Sequence, residues 1–387
     1  MALTTILQRG RSHVEKNKLS HRPEFFRPGR PGEAQALQAL LEQNPSIRVF
    51  DALAVQLEEL VKVLHPTQRF TAGQLAEGVS GHLKGVPAEE YGVWVYYPWA
   101  DRVVHILDEK EFIELRTSRN LYKITRDERE VLARQKIGVI GLSVGQSIAV
   151  TMAMERTFGE IRLADFDALE LTNMNRIRTG LHNLEVPKVV IAAREIAEMD
   201  PFLTVVCYPE GITEANIDDF LLKGGKLNVL VDECDSLDIK IMCRHRARAQ
   251  RIPVVMDTSD RGMVDIERFD LEPDRPILHG LISHLDESNV RNLSDLEKVP
   301  YLKPFVGYET ISAGLRASEP ELGKTIRTWP QLASSVILGG AVGTDVCRRI
   351  ALGKLHVSGR FYVDLEEIIS DGPAPAARLT GGRSNKG

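Results

Sequence analysis

The stretch that most limits what this chain can fold into is residues 136–188, KIGVIGLSVGQSIAVTMAMERTFGEIRLADFDALELTNMNRIRTGLHNLEVPK. An apolar run from Ile137 to Ile140 meets Gly141. A segment with helical spacing follows, and then a second apolar run that ends in Asp165-Phe166-Asp167. The pattern reads as strand, turn, helix, strand: one βαβ unit. Gly141 stands where the first strand must turn, and Gly145 follows in the same turn. Nucleotide-binding sheets place a ribose-binding acid roughly 20 residues past such a turn, at the end of the next strand. Asp165 stands at that place. The polar run Asn173, Asn175, Arg176, Arg178 lies just beyond, where an α/β sheet builds its ligand crevice.

Lys188 adds an independent hint. Pro187 reads as a first helical position, with Val189, Ala192, Ala193 and Ile196 as an apolar stripe behind it. A lysine in a first turn opposes the helix dipole by roughly 0.3–1 kcal/mol. An anion docked there explains the placement; a solvated lysine explains it equally well.

The chain has 387 residues, enough for more than one core, and 43% of them are apolar and 27% charged. A net charge of −5 gives no general attraction to nucleic acid. No apolar run reaches membrane-spanning length, so no membrane segment is expected. The cysteines, Cys207, Cys234, Cys243 and Cys347, form no C-x-x-C pair, so no zinc is expected and reduced, cytoplasmic thiols are the default.

In order along the chain, residues 1–30 read as a basic flexible arm. Residues 31–112 read as a small α/β accessory domain with a hairpin near 91–107. Its aromatics, Tyr91, Trp94, Tyr96, Tyr97 and Trp99, suit a sheet core better than a peptide-binding surface. Residues 113–135 form a charged connector expected to enter the main sheet near its ligand end. Beyond Lys188, helices alternate with strands near 203–208, 228–231 and 253–256. This predicts a mostly parallel sheet with helices on both faces. Thr213 is expected to cap a short helix ending at Gly224. Residues 258–330 read as less regular and lid-like, 331–352 as a helix rich in small residues, and 373–387 as a disordered tail.

Six features occur in one order: Arg116-Thr-Ser-Arg119, the turn at Gly141, Asp165-Phe-Asp167, Asn173-Met-Asn-Arg176, Pro187-Lys188 and Asp232-Glu-Cys-Asp235. Across residues 113–372 the chain resembles the ThiF/MoeB family, prokaryotic relatives of ubiquitin-activating enzymes. The resemblance implies a Rossmann-like α/β fold, a cytoplasmic homodimer, and adenylation of a carboxylate with ATP and Mg²⁺. It implies a nucleotide site formed by Gly141, Gly145, Asp165, Asp167, Asn173, Arg176 and Lys188. Within it, Asp165 would hold the ribose, Asn173 and Arg176 the triphosphate, and Lys188 the α-phosphate. Asp235 would hold magnesium, and Arg119 would act from the partner subunit. The chemistry suits such residues. A carboxylate and ATP repel one another, and cations at the α-phosphate screen that repulsion and stabilise the transition state.

The chain also departs from the family. Where the family loop runs Gly-x-Gly-Gly-x-Gly, this chain has Gly141-Leu-Ser143-Val-Gly145-Gln146. The glutamine that often follows the family arginine is Ile177, and no cysteine lies in 258–330, where thioester-forming members carry one. An enzyme that stops at the acyl-adenylate fits best. The stretch from Asp257 to Asp270 resembles a subgroup whose module can be fused to a nitroreductase-like domain, which this chain does not contain. The expected substrate is the C-terminus of a ubiquitin-like sulphur carrier or of a peptide. Three alternatives stand beside it: a peptide-modifying enzyme of the RiPP type that activates a side-chain carboxylate, a non-catalytic nucleotide-binding module, and a Rossmann dehydrogenase.

Overall fold

The computed structural model describes residues 17–282, 301 and 307–370. Two sheets organise them. The smaller contains β1 (Glu24–Phe26), β2 (Arg48–Asp51), β3 (Val93–Tyr97) and β4 (Arg102–Ile106), in the order β1-β3-β4-β2. The predicted hairpin is β3 and β4, in antiparallel register from Val93 opposite Ile106 to Tyr97 opposite Arg102. Strand β1 pairs with β3, so residues 17–30 are not a loose arm; residues 1–16 lie outside the described residues. Three residues, EFF, are too short a run to announce a strand, and pairing supplies what local pattern does not. Tyr96 and Tyr97 are buried, and Trp94 stacks on His105 with ring centroids 3.9 Å apart.

The larger sheet contains β5 (Lys136–Ile140), β6 (Glu160–Ala164), β7 (Thr204–Tyr208), β8 (Val229–Asp232), β9 (Val254–Asp257), β10 (Met263–Glu267) and β11 (Gly359–Tyr362). Their order is β11-β10-β9-β8-β5-β6-β7, with β5 to β9 parallel, β10 antiparallel to β9, and β11 antiparallel to β10. Alternate residues serve opposite faces. Ile137, Val139, Val229 and Val231 pack under the helices Gly145–Glu155, Lys188–Met199 and Ala333–Ala351. Ile140 and Leu230 pack under Ile217–Leu222 and Leu237–Ala249. Strands covered on both faces read as apolar runs, as β5, β8 and β9 do, while β6 also buries Arg162, which donates to the Glu160 carboxylate and to the carbonyls of Phe220, Lys223 and Gly225. Chain order reverses between β5 and β8, so the crevice at their carboxyl ends is the sheet's switch point.

The small-residue helix Ala333–Ala351 packs closely on Gly145–Glu155: a Cβ at Gly340 would come within 2.2 Å of the Ser147 hydroxyl. Two sequence expectations are corrected here. The segment after residue 258 is not wholly irregular, since β10 is a buried strand; residues 283–300 and 302–306 lie outside the described residues. The helix after residue 213 spans Ile217–Leu222 and begins at Asn216, whose side chain accepts from the Thr213 N–H. The tail from residue 371 lies outside the described residues.

Acids at alternate positions, as in MVDIE of β10, ordinarily mark a solvated face. Both acids are buried and paired instead. Arg244 bridges Asp232 and Glu267, with 2.6 Å from Nε to Glu267 Oε2. His279 Nε2 and Arg360 Nε reach Asp265 at 2.9 and 2.6 Å. Burial alone would raise the pKa of Asp232, but Lys240 and Arg244 outweigh it and hold it at about 2.

Candidate active site

The crevice collects side chains from the ends of β5, β6 and β8. After β5, Gly141 turns with a φ of 83°, and a Cβ there would come within 2.5 Å of the Glu233 carbonyl oxygen. Only glycine combines that backbone conformation with that approach. The turn then enters the Gly145–Glu155 helix.

After β6, Asp165 is buried, and each carboxylate oxygen accepts one backbone N–H: Oδ2 from Leu142 at 2.6 Å and Oδ1 from Asp167 at 2.8 Å. It therefore ties the glycine turn to its own strand end. Burial raises its pKa, opposed by Lys188 and by the two N–H donors. Asp167 is half exposed. Its backbone carbonyl accepts from the Lys188 N–H at 2.9 Å, and its carboxylate accepts from Lys188 Nζ at 2.8 Å. Lys188 opens the Lys188–Met199 helix, one residue after Pro187, and is only 5% exposed. Nζ also donates to Ser143 Oγ at 3.1 Å. A first-turn lysine does face an anion here, and in this structure the anion is Asp167.

Asn173 lies in a 3-10 turn, Leu171–Asn175, where its side chain accepts from the Glu170 N–H at 3.0 Å. Asn175, given no role from sequence, donates to the Gln331 carbonyl oxygen at 2.8 Å and accepts from Arg176 at 2.9 Å. Arg176 is half buried and its Nε has no hydrogen-bond partner. Burial lowers its pKa, and Asp235 works against that. Asp235 is exposed in the bend after β8, ahead of the Ser236 cap of the next helix. The other acids of that motif are committed: Asp232 to Arg244 and Lys240, and Glu233 to the Asp257 N–H at 2.8 Å. Burial and then the Asp257 carboxyl push Glu233 well above the usual carboxylate range.

Among the described residues no group of three or more His, Cys, Asp or Glu is arranged to hold a metal. A lone carboxylate at the mouth still fits magnesium, which is commonly held by one or two carboxylates plus substrate phosphates.

Arg119 is not brought to this site within its own chain. It is exposed on the 3-10 turn Ser118–Asn120, and Asn120 donates to the Glu155 carbonyl oxygen at the far end of the helix that begins at Gly145. The helix has eleven residues, which makes it about 16 Å long at 1.5 Å per residue. The connector therefore enters β5 at its amino end, opposite the crevice, contrary to the sequence expectation. Arg116 is a packing residue. It donates to the Ala153 carbonyl oxygen at 2.9 Å and lies 3.6 Å from Asp200.

Three relatives bear on this geometry. The chain is 42% identical over 295 residues to protein MT1398 of Mycobacterium tuberculosis (strain CDC 1551 / Oshkosh), covering 76% of this chain but 41% of that one. It is 26% identical over 155 residues to the tRNA threonylcarbamoyladenosine dehydratase of Bacillus subtilis (strain 168), covering 40% and 60%. It is 25% identical over 199 residues to the molybdopterin-synthase adenylyltransferase of Haemophilus influenzae (strain ATCC 51907 / DSM 11121 / KW20 / Rd), covering 50% and 78%. The ThiF family model matches residues 116–351, which contain the whole crevice from the glycine turn to Asp235. The chain belongs to the ThiF family.

Proposed function

We propose that this chain is an ATP- and Mg²⁺-dependent adenylyltransferase that activates a carboxylate as its acyl-adenylate. The observation that carries the reading is the pair of cations at the switch-point crevice. Lys188 is held at the glycine turn, and Arg176 is half buried with an unpartnered Nε. A dinucleotide site needs neither a lysine at the glycine turn nor a half-buried arginine kept for a triphosphate. Gly141 and Gly145 let the turn approach the nucleotide, and Asp165 holds the ribose through lone pairs its two N–H donors leave free. Asn173 and Arg176 bind the triphosphate. Lys188 leaves Asp167 for the α-phosphate as the substrate carboxylate attacks it. Asp235 would hold Mg²⁺, which when bound offsets charge on the departing pyrophosphate. Arg119 acts, on this reading, from the partner of a homodimer, since its own crevice is out of reach.

The carboxylate comes from a ubiquitin-like carrier or a peptide. The relative from Bacillus subtilis is named for a tRNA substrate, but a net charge of −5 does not suit nucleic acid. The thiols favour a reaction that ends at the adenylate. Burial pushes Cys207 up to about 12, and it also raises Cys234 and Cys347. None of the three is an available thiolate at neutral pH.

Exchange of labelled pyrophosphate into ATP tests the reading, with carriers ending in Gly-Gly and short peptides as separate donors. Exchange should require a donor and Mg²⁺ and vanish in Asp235→Ala and Lys188→Ala. Arg119→Ala should be nearly inactive alone and regain part of its activity when mixed with Lys188→Ala. Intact ATP binding with no exchange from any donor would favour the non-catalytic module.

A further inference from the structure

The crevice contains a closed circuit of hydrogen bonds. Leu142 N–H donates to Asp165 at 2.6 Å, and Asp167 N–H donates to Asp165 at 2.8 Å. Lys188 Nζ donates to Asp167 at 2.8 Å and to Ser143 Oγ at 3.1 Å. Ser143 follows Leu142 and closes the ring. It stands at the third position of the loop, where the family pattern has glycine, and a glycine would leave the ring open. A hydroxyl has one proton to give and lone pairs to accept with. With its oxygen accepting from an ammonium, Ser143 directs its proton elsewhere, beside a cation and at the mouth of a helix amino end. An anion is the acceptor such a donor suits.

We propose that Ser143 is a phosphate-binding residue of this chain: its hydroxyl positions Lys188 and donates its own proton to the phosphate that Lys188 faces. The serine then replaces the close backbone approach that a glycine permits with a side-chain donor. The inference rests on the adenylation reading, in which the α-phosphate meets Lys188. It adds a ligand to that phosphate and selects for nucleotides over nucleosides.

Titration calorimetry of the full chain with AMP and with adenosine tests it. Wild type should bind AMP more tightly than adenosine. Ser143→Ala should weaken AMP about tenfold, the lower end of what a hydrogen bond to a charged group provides, and leave adenosine unchanged. Ser143→Thr, which keeps the hydroxyl, should restore most of the loss. In a Lys188→Ala background Ser143→Ala should still weaken AMP. If its effect vanishes there, the hydroxyl does not reach the phosphate and the proposal is overturned. An equal loss of AMP and adenosine would mark a merely structural serine and also overturn it. Wild type that prefers AMP, with Ser143→Ala keeping that preference, removes Ser143 alone. Wild type that binds the two ligands equally removes the phosphate assignment of Lys188, and this inference with it.

Discussion

Two charged clusters lie at opposite sides of the β8 strand end, and they are built differently. Behind it, Asp232, Arg244, Glu267 and Lys240 are buried, and each finds opposite charge within the cluster. In front of it, Arg176 keeps an unpartnered Nε, Asp235 is exposed, and Lys188 is paired with a half-exposed aspartate. Burying charges without full pairing is costly, so a complete network indicates structure. An incomplete one at a sheet's switch point indicates a site whose remaining partner is a ligand. The sequence places both clusters within a few residues of each other, in Asp232-Glu-Cys-Asp235, and only pairing separates their roles.

The sharpest way to break the contrast is Arg244→Ala. It leaves Glu267 buried without Arg244 and Asp232 with Lys240 alone, and removing one partner of a buried pair costs about 3–5 kcal/mol. Denaturant unfolding should show that loss with or without nucleotide. A loss under about 1 kcal/mol would mean that the network is not a structural unit.

Asp257 sharpens it next. Burial pushes its pKa from 3.8 up to about 6, with the Ser259 and Thr258 donors opposing. The folded state therefore binds this proton more tightly than the unfolded chain. The resulting stability is complete below pH 3.8 and is lost as pH rises through about 6. Two pKa units correspond to about 3 kcal/mol. Asp257→Asn should flatten the stability profile between those pH values and leave it more stable than wild type above pH 6. An unchanged slope would place the titration elsewhere.

What could be read in advance follows the same physics. Strands β5, β8 and β9 are legible in the sequence because burial on two faces demands apolar runs, whereas β6 carries the buried Arg162 and β7 lies at the sheet edge. The crevice residues were legible because Gly141, Asp165, Arg176 and Lys188 sit at element ends with little local reason to be there. Strand β10 was hidden because Asp265 and Glu267 look solvated until Arg244, His279 and Arg360 arrive from elsewhere in the chain. Ser143 was visible only as a departure from the family loop. Its meaning depends on a lysine brought to it by the pairing of Ala168 with Pro187.

The smallest expected effect on stability carries the most direct test. Arg176→Ala removes a half-buried guanidinium whose Nε had no partner, so its melting temperature should stay close to that of wild type. Saturating ATP with Mg²⁺ should raise the melting temperature of wild type, because at 100 times Kd binding adds about 2.7 kcal/mol to stability. NAD should not. Arg176→Ala should show little of the ATP effect. Protection of wild type by NAD and none by ATP would contradict the account.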